Sequence, residues 1–327
     1  MRVITYIEAI TEALAEEMRR DERVFVLGED VALYGGVFKA TKGLLDEFGP
    51  LRVIDTPIAE ELIVGAAVGA AAMGMRPVPE IQFSDFASCG FDPIVQQMAR
   101  LRYRSGSAWT CPMVLRICCG GEIGGGIYHS QTNENWFFGT PGLVVLAPST
   151  PHDAKGMLKS AIRGEDPVIY FEHKRLYRWI KGQVPDGDFT VPLGRADIKR
   201  PGSTLTIVTY QLMVHRALEA AEVLAQEGID VEVVDLRTLL PWDREMVLES
   251  ARKTGKVLVV HESPKTGGVG GEIAATIMEE VFDYLDAPVG RLAGPDIPPM
   301  PFAPVMEKEY MPDAEKIAAK ARALAAY

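Results

Sequence analysis

Basic residues are in the minority in this chain. Against 45 Asp and Glu stand 34 Lys and Arg, a formal charge of −11. No cationic surplus is left for a phosphate backbone, which argues against nucleic acid as the main partner while leaving room for a local basic patch. Long apolar runs are missing too. The longest weakly polar stretch, Leu62 to Met75, is rich in Gly and Ala and falls short of the ~20 residues of a bilayer span, so no membrane partner is expected. The opening MRVITYIEAI lacks the basic start, apolar run and small-residue cleavage site of an export signal, and a cytoplasmic location is expected. Cysteine is scarce. Cys89, Cys111, Cys118 and Cys119 show no paired C-x-x-C spacing, which argues against structural zinc and disulfides and for reduced, buried thiols in a strand and a helix. Neither G-x-G-x-x-G nor the P-loop pattern occurs, so a Rossmann dinucleotide site and a P-loop lack support.

What is present reads as two alternating units. A chain of 327 residues exceeds one ordinary domain, and two domains are expected. Thr5 and Glu8 frame a capping box ahead of an amphipathic helix with Ile7, Ile10, Leu14 and Met18 on one face. Buried strands are predicted at Val24 to Gly28, Arg52 to Ile54, Val78 to Phe83, Met113 to Cys118, Leu143 to Leu146 and Val168 to Glu172. Helices are predicted over Pro57 to Met73, Pro93 to Arg104 and His152 to Arg163. That order signals an α/β fold with a parallel sheet covered by helices. The Pro57 to Met73 helix, with Thr56 as N-cap, is crowded with Gly and Ala, which predicts close packing, including against a second chain. Lys181 to Ser203 is rich in Pro, Gly and charge and reads as a surface crossing. We therefore expect a first domain over 1–185, a linker over 186–200 and a second, smaller α/β domain over 201–327, ending in a helix from Asp313 to Ala326.

Several residues suit chemistry. His129 follows a glycine cluster, Gly120 to Gly126, beyond a predicted strand. Parallel sheets bind ligands at the carboxyl ends of their strands, although a lone loop histidine is as a rule solvated or satisfied. Thr266 to Glu272, TGGVGGE, opens a helix and offers either a plain turn or an anion site. Glu60 and Glu61 open the small-residue helix, where carboxylates complement the helix dipole. A carboxyl beside so many small residues is also a candidate for burial, which favours retention of its proton. Glu80 and Asp85 make a remote candidate acid pair, and Phe83, Phe86 and Phe91 are expected in the core.

LGEDV at Leu27 to Val31, DTPIAE at Asp55 to Glu60, PEIQFSDF at Pro79 to Phe86, YRSG at Tyr103 to Gly106, YHSQ at Tyr128 to Gln131, DAKG at Asp153 to Gly156 and LRTLLPWD at Leu236 to Asp243 resemble, in fixed order, the beta subunits of thiamine diphosphate-dependent 2-oxo acid dehydrogenases. The resemblance runs nearly end to end. It implies a thiamine diphosphate pyrimidine-binding domain followed by a transketolase C-terminal-like domain. It also implies a tetramer of two alpha and two beta chains, with the cofactor between subunits and magnesium held by the alpha subunit. The family's alpha chain carries a G-D-G...N motif, which is absent here because Gly28-Glu29-Asp30 lacks the second glycine.

Carried over by position, Glu60 matches the glutamate that bonds the aminopyrimidine ring nitrogen and activates the thiazolium carbon. Phe86 matches an aromatic packed on that ring, and Glu29, Ile58 and Gln82 match neighbouring cofactor contacts. His129 matches a histidine that assists proton transfer or orients substrate and lipoyl group. Some relatives hold potassium at positions equivalent to Pro112, Val114, Leu115, Ala161, Gly164 and Asp166. Here Gly164 stands for the usual Asp and Asp166 for the usual Asn, leaving carbonyl ligation. The implied reaction is oxidative decarboxylation of a small 2-oxo acid, with acyl transfer to the lipoyl-bearing acyltransferase core. YRSG, EIQF-x-D, YHSQ and PWD lean to the branched-chain type, whereas DFASC and EHK lean to pyruvate or acetoin relatives. Ketol transfer and a catalytically silent docking subunit are the alternatives of other classes.

Overall fold

The computed structural model describes residues 1–327 and divides into two compact units: residues 1–119 with 136–193, and residues 120–135 with 194–327. Composition alone puts the crossing within 186–200. The units meet in the chain at Leu193 and Gly194, and the excursion 120–135 is grouped with the second.

The first unit holds strands β1 (Arg2–Thr5), β2 (Val24–Gly28), β3 (Val53–Asp55), β4 (Arg76–Ile81), β5 (Val114–Cys119), β6 (Val144–Leu146), β7 (Val168–His173) and β8 (Lys181–Val184). β1 and β8 form a separate antiparallel pair. The others run in the order β6-β7-β5-β4-β2-β3, every neighbouring pair parallel. β2, β4, β5 and β7 are buried along their whole length, which is why VFVLG and VIYFEH read as near-continuous apolar runs rather than alternating ones. The capping box forms as expected: Thr5 accepts the Glu8 amide and Glu8 reaches back to the Thr5 amide, opening the helix Tyr6–Arg20. That helix packs on Pro151–Arg163, and Lys155 and Arg163 bond Glu16 and Glu17 at 2.6 Å.

Two helices differ from expectation. The small-residue helix spans Glu60–Ala72, with Ala59 at its N-cap. Thr56 does not cap it: its amide donates to the Gly28 carbonyl at 2.9 Å, so the chain stays extended past β3 before turning. Leu62, Gly65, Ala66, Gly69 and Met73 form an exposed face. The predicted helix Pro93 to Arg104 is a wide π-helical turn, Pro93–Met98, followed by a short helix, Leu101–Arg104. At the break, Gly142 (φ +100°) comes so close that a Cβ there would stand 2.1 Å from the Ala99 carbonyl oxygen.

The second unit contains β9 (Asp197–Arg200), β10 (Leu205–Thr209), β11 (Val231–Asp235), β12 (Thr238–Leu240), β13 (Val257–Pro264) and β14 (Gly290–Gly294). Five of these form a sheet in the order β14-β13-β10-β11-β9, parallel except for β9. Helices Leu212–Gln226, Arg244–Thr254, Val269–Val281 and Ala314–Ala325 accompany it. β8 and β9 fall where a structureless crossing is expected. KGQV and DIKR are short, charged and largely solvent-facing, so they carry no apolar signal.

Three thiols match the buried expectation, with Cys118 and Cys119 in β5 and Cys111 in the preceding loop. Cys89 is exposed. Phe83 and Phe86 are half-buried and Phe91 is exposed, so none of the three is a core residue.

Candidate active site

The carboxyl ends of β3, β2 and β4 lie side by side, with Gly28 in register with Asp55 and with Glu80. Each strand is followed at once by a residue singled out in the sequence. Glu29 follows β2, Gln82 follows β4, and the turn after β3 leads through Ile58 to Glu60. The Gln82 amide donates to the Glu29 carbonyl at 2.9 Å, tying two of these ends together. Glu60 is 8% exposed, whereas Glu61 is fully on the solvent side. Gly90 passes the Glu60 carbonyl so closely that a Cβ would stand 3.3 Å from it.

The half-buried Glu29 carboxyl is pushed up to about 7, first by burial and then by the negative charges of Glu60, Asp30 and Glu80. The Glu29 carboxyl thus keeps its proton close to neutral pH. The Thr56 hydroxyl, in the same turn, is buried without a partner, an unmet polar group of the kind that a ligand satisfies. Phe86 presents a half-buried ring, 6.4 Å from that of Phe83 and edge-on to it. Ile58 is 81% exposed. Backbone ends, a buried carboxyl, an amide and an aromatic face together fit a flat, nitrogen-bearing ring.

Beneath lies an ion cluster that sequence reasoning missed. Arg116 bonds Glu172 through two nitrogens, at 2.6 and 2.8 Å, and Glu80 at 2.6 Å. Tyr177 adds a hydroxyl to Glu172 at 2.6 Å. Burial opposes the Arg116 charge, but Glu172 and Glu80 outweigh it and hold the guanidinium protonated. Glu80 therefore serves Arg116 and is no partner of Asp85 in an acid pair. The available signal was a charge set inside each apolar strand, Glu80 in RPVPEI, Arg116 in VLRICC and Glu172 in VIYFEH.

His129 belongs to the second unit, in the loop 120–135. It is half-buried and follows a single 3-10 turn, Gly126–Tyr128. Gly126 takes φ +70° directly over Phe302, whose ring would meet a Cβ at 2.9 Å. The TGGVGGE segment resolves to a packing turn: a Cβ at Gly268 or Gly270 would strike the buried His261 ring, at 2.4 and 2.9 Å.

The potassium positions fit that ion poorly. Gly164 offers no side chain, and its carbonyl accepts the Arg76 guanidinium at 2.7 Å. The Asp166 carboxylate is paired with Arg102. Val114 and Leu115 lie inside β5, paired with β7, Pro112 lies just before that strand, and the Ala161 carbonyl accepts the Gly164 amide. No cluster of three or more His, Cys, Asp or Glu could hold a metal, and no helix is long and apolar enough to cross a membrane.

Residues 2–180 match the transketolase pyrimidine-binding domain and residues 194–317 the transketolase C-terminal domain. The chain is 54% identical, over all of both chains, to the 2-oxoisovalerate dehydrogenase subunit beta of Bacillus subtilis (strain 168). The chain belongs to the beta-subunit family of 2-oxo acid dehydrogenases. It is also 46% identical to the pyruvate dehydrogenase E1 component subunit beta of the same organism, over 98% of each chain. The acetoin:2,6-dichlorophenolindophenol oxidoreductase subunit beta of Cupriavidus necator is 46% identical over 96% of this chain and 95% of its own. Among solved structures, a split-gene transketolase described as an inactive beta4 tetramer superposes with a TM-score of 0.81 at 26% identity, covering 99% of this beta chain and 98% of its own. Glu29, Ile58, Glu60, Gln82 and Phe86 all fall within the matched pyrimidine-binding domain.

Proposed function

We propose that this beta chain supplies the pyrimidine-side half of a thiamine diphosphate site, and works as one of two beta subunits beside two alpha subunits. The complex oxidatively decarboxylates a 2-oxo acid and passes the acyl group to the lipoyl group of an acyltransferase core in the cytoplasm. The observation that carries this reading is the dry Glu60 carboxyl at the strand ends, next to Glu29 and Gln82. Thiamine diphosphate, when bound, would supply the nucleophilic carbon and the electron sink that a 2-oxo acid needs to lose carbon dioxide. Glu60 would hold a hydrogen bond to the aminopyrimidine ring nitrogen, where its burial limits the access of water to the bond. Glu29, whose carboxyl is pushed up to about 7 by burial and by the neighbouring negative charges, adds a group that keeps its proton close to neutral pH. Gln82 fixes the Glu29 backbone, Phe86 offers its ring to the pyrimidine and Ile58 lines the entrance. His129 assists proton transfer or orients substrate and lipoyl group.

The diphosphate and magnesium fall to the alpha chain, because no G-D-G...N motif is present. The exposed face of Leu62, Gly65, Ala66, Gly69 and Met73 is a surface a second chain can approach closely. The branched-chain type is favoured by YRSG, EIQF-x-D, YHSQ and PWD and by the higher identity to the 2-oxoisovalerate relative. The test is co-expression with the candidate alpha chain, then assays on branched 2-oxo acids, pyruvate and acetoin, with and without lipoyl domain. Decarboxylation of branched substrates with lipoyl acylation is expected. An assembled tetramer that decarboxylates nothing points to a silent docking subunit, and transfer to an aldose points to ketol transfer.

A further inference from the structure

We infer that Glu262 is a positioning residue for His129, acting by fastening both ends of the 120–135 loop; this rests on the role given to His129 above. The loop leaves β5 at Gly120 and has its neck closed by the Gly120 amide, which donates to the Gln131 carbonyl at 2.9 Å. One carboxylate oxygen, Oε1 of Glu262, accepts both the Gly121 amide at 2.7 Å and the Thr132 hydroxyl at 3.0 Å. The outgoing and returning arms thus share a single atom. Glu262 and Thr132 are each 4% exposed, so these bonds form away from water, where a charged acceptor is worth most.

Neighbouring contacts repeat the pattern. Ser263, the next residue along β13, donates to Glu134 Oε1 at 2.6 Å, and Tyr210 donates to the same oxygen. Arg216 forks onto Glu122. Anchors therefore sit at 121, 122, 132 and 134, with the Gly124 amide also donating to Glu307 at 3.4 Å, and the span between them carries exposed Ile123, Ile127 and Tyr128. His129 lies in that span, three residues before Thr132. A loop of this length samples many conformations unless its ends are fixed, and a side chain displaced by about 1 Å costs on the order of 100-fold in rate. Glu262 touches no reacting atom on this account. Its burial at the end of the apolar run VLVVHE serves the geometry of the loop.

The test uses the chain co-purified with its alpha partner and compares His129→Ala, Glu262→Ala, Glu262→Gln, Thr132→Val and the His129→Ala/Glu262→Ala double variant. Decarboxylation is read with a dye acceptor, and acylation with free lipoyl domain. Hydrogen exchange of amides 121–132 is followed on the full chain without cofactor. Glu262→Ala and Thr132→Val are expected to lower lipoyl acylation about 10- to 100-fold and to speed exchange across the loop. Gln keeps an acceptor oxygen and should restore most of both. The double variant should be no slower than His129→Ala alone. Unchanged acylation in Thr132→Val, or additive losses in the double variant, overturns the inference. Should Glu262→Ala fail to fold, Thr132→Val and Glu262→Gln decide it. An inert His129→Ala beside an impaired Glu262→Ala overturns the role of His129 instead.

Discussion

The Arg116 guanidinium grips both carboxylate oxygens of Glu172 across the β5–β7 pair, and neither side chain is reached by solvent. The pair stands under the strand ends that carry Glu29, Glu60 and Gln82. Removing the cation strands Glu172 and Glu80 as buried charges, so Arg116→Met is expected to destabilise the chain by about 3–5 kcal/mol. Denaturant unfolding measures this, and a loss below about 1 kcal/mol would contradict the ion-cluster account.

Glu60→Gln tests the carboxyl proposed to react. The amide keeps the shape of the side chain but cannot share a proton with a ring nitrogen. Turnover of the assembled tetramer should fall about 100-fold or more, with circular dichroism and thermal midpoint little changed. Unaltered turnover would sink the assigned role.

Glu134 links pH to stability. Burial pushes its carboxyl from 4.5 up to about 7, against the bonds from Ser263 and Tyr210. The folded state therefore keeps a proton that the unfolded chain releases between these values, and stability falls as pH rises from about 4.5 to about 7, then levels off. The contribution is on the order of 3 kcal/mol. Glu134→Gln keeps an acceptor for Tyr210 and Ser263 but does not titrate. Its thermal midpoint should decline less between pH 5 and pH 8 than that of the parent chain. Parallel pH profiles for the two proteins would refute the assignment.

Gly142→Ala should cost about 2–4 kcal/mol, combining an unfavourable positive φ with a Cβ driven into the Ala99 carbonyl. Gly43→Ala, also at positive φ but with nothing within 4 Å, isolates the conformational part. Equal unfolding midpoints for the two variants would show that the close approach carries no energy.

Much of the architecture was readable because parallel strands buried on both faces leave uninterrupted apolar runs, and because Thr5 with Glu8 is a local signal. The short helices and edge strands left no such mark, and Thr56 misled because its amide extends the β3 ladder instead of capping a helix. Around the site, burial of Glu60 among small residues was legible. The Arg116 cluster was not, because its three members lie 36 and 56 residues apart in the chain. For the same reason nothing near Gly120–Asn135 announced that its tether, Glu262, comes 141 residues after Gly121.

The helix Glu60–Ala72 carries in its first turn the carboxyl proposed to share a proton, and along its length a bare face of glycine, alanine, Leu62 and Met73. On the proposed function, one rigid rod serves as reagent mount and as mating surface. A neighbour seated on that face would press on the same segment that aims Glu60, so assembly and reactivity would share a mechanical part, and dilution would become a chemical variable for this protein.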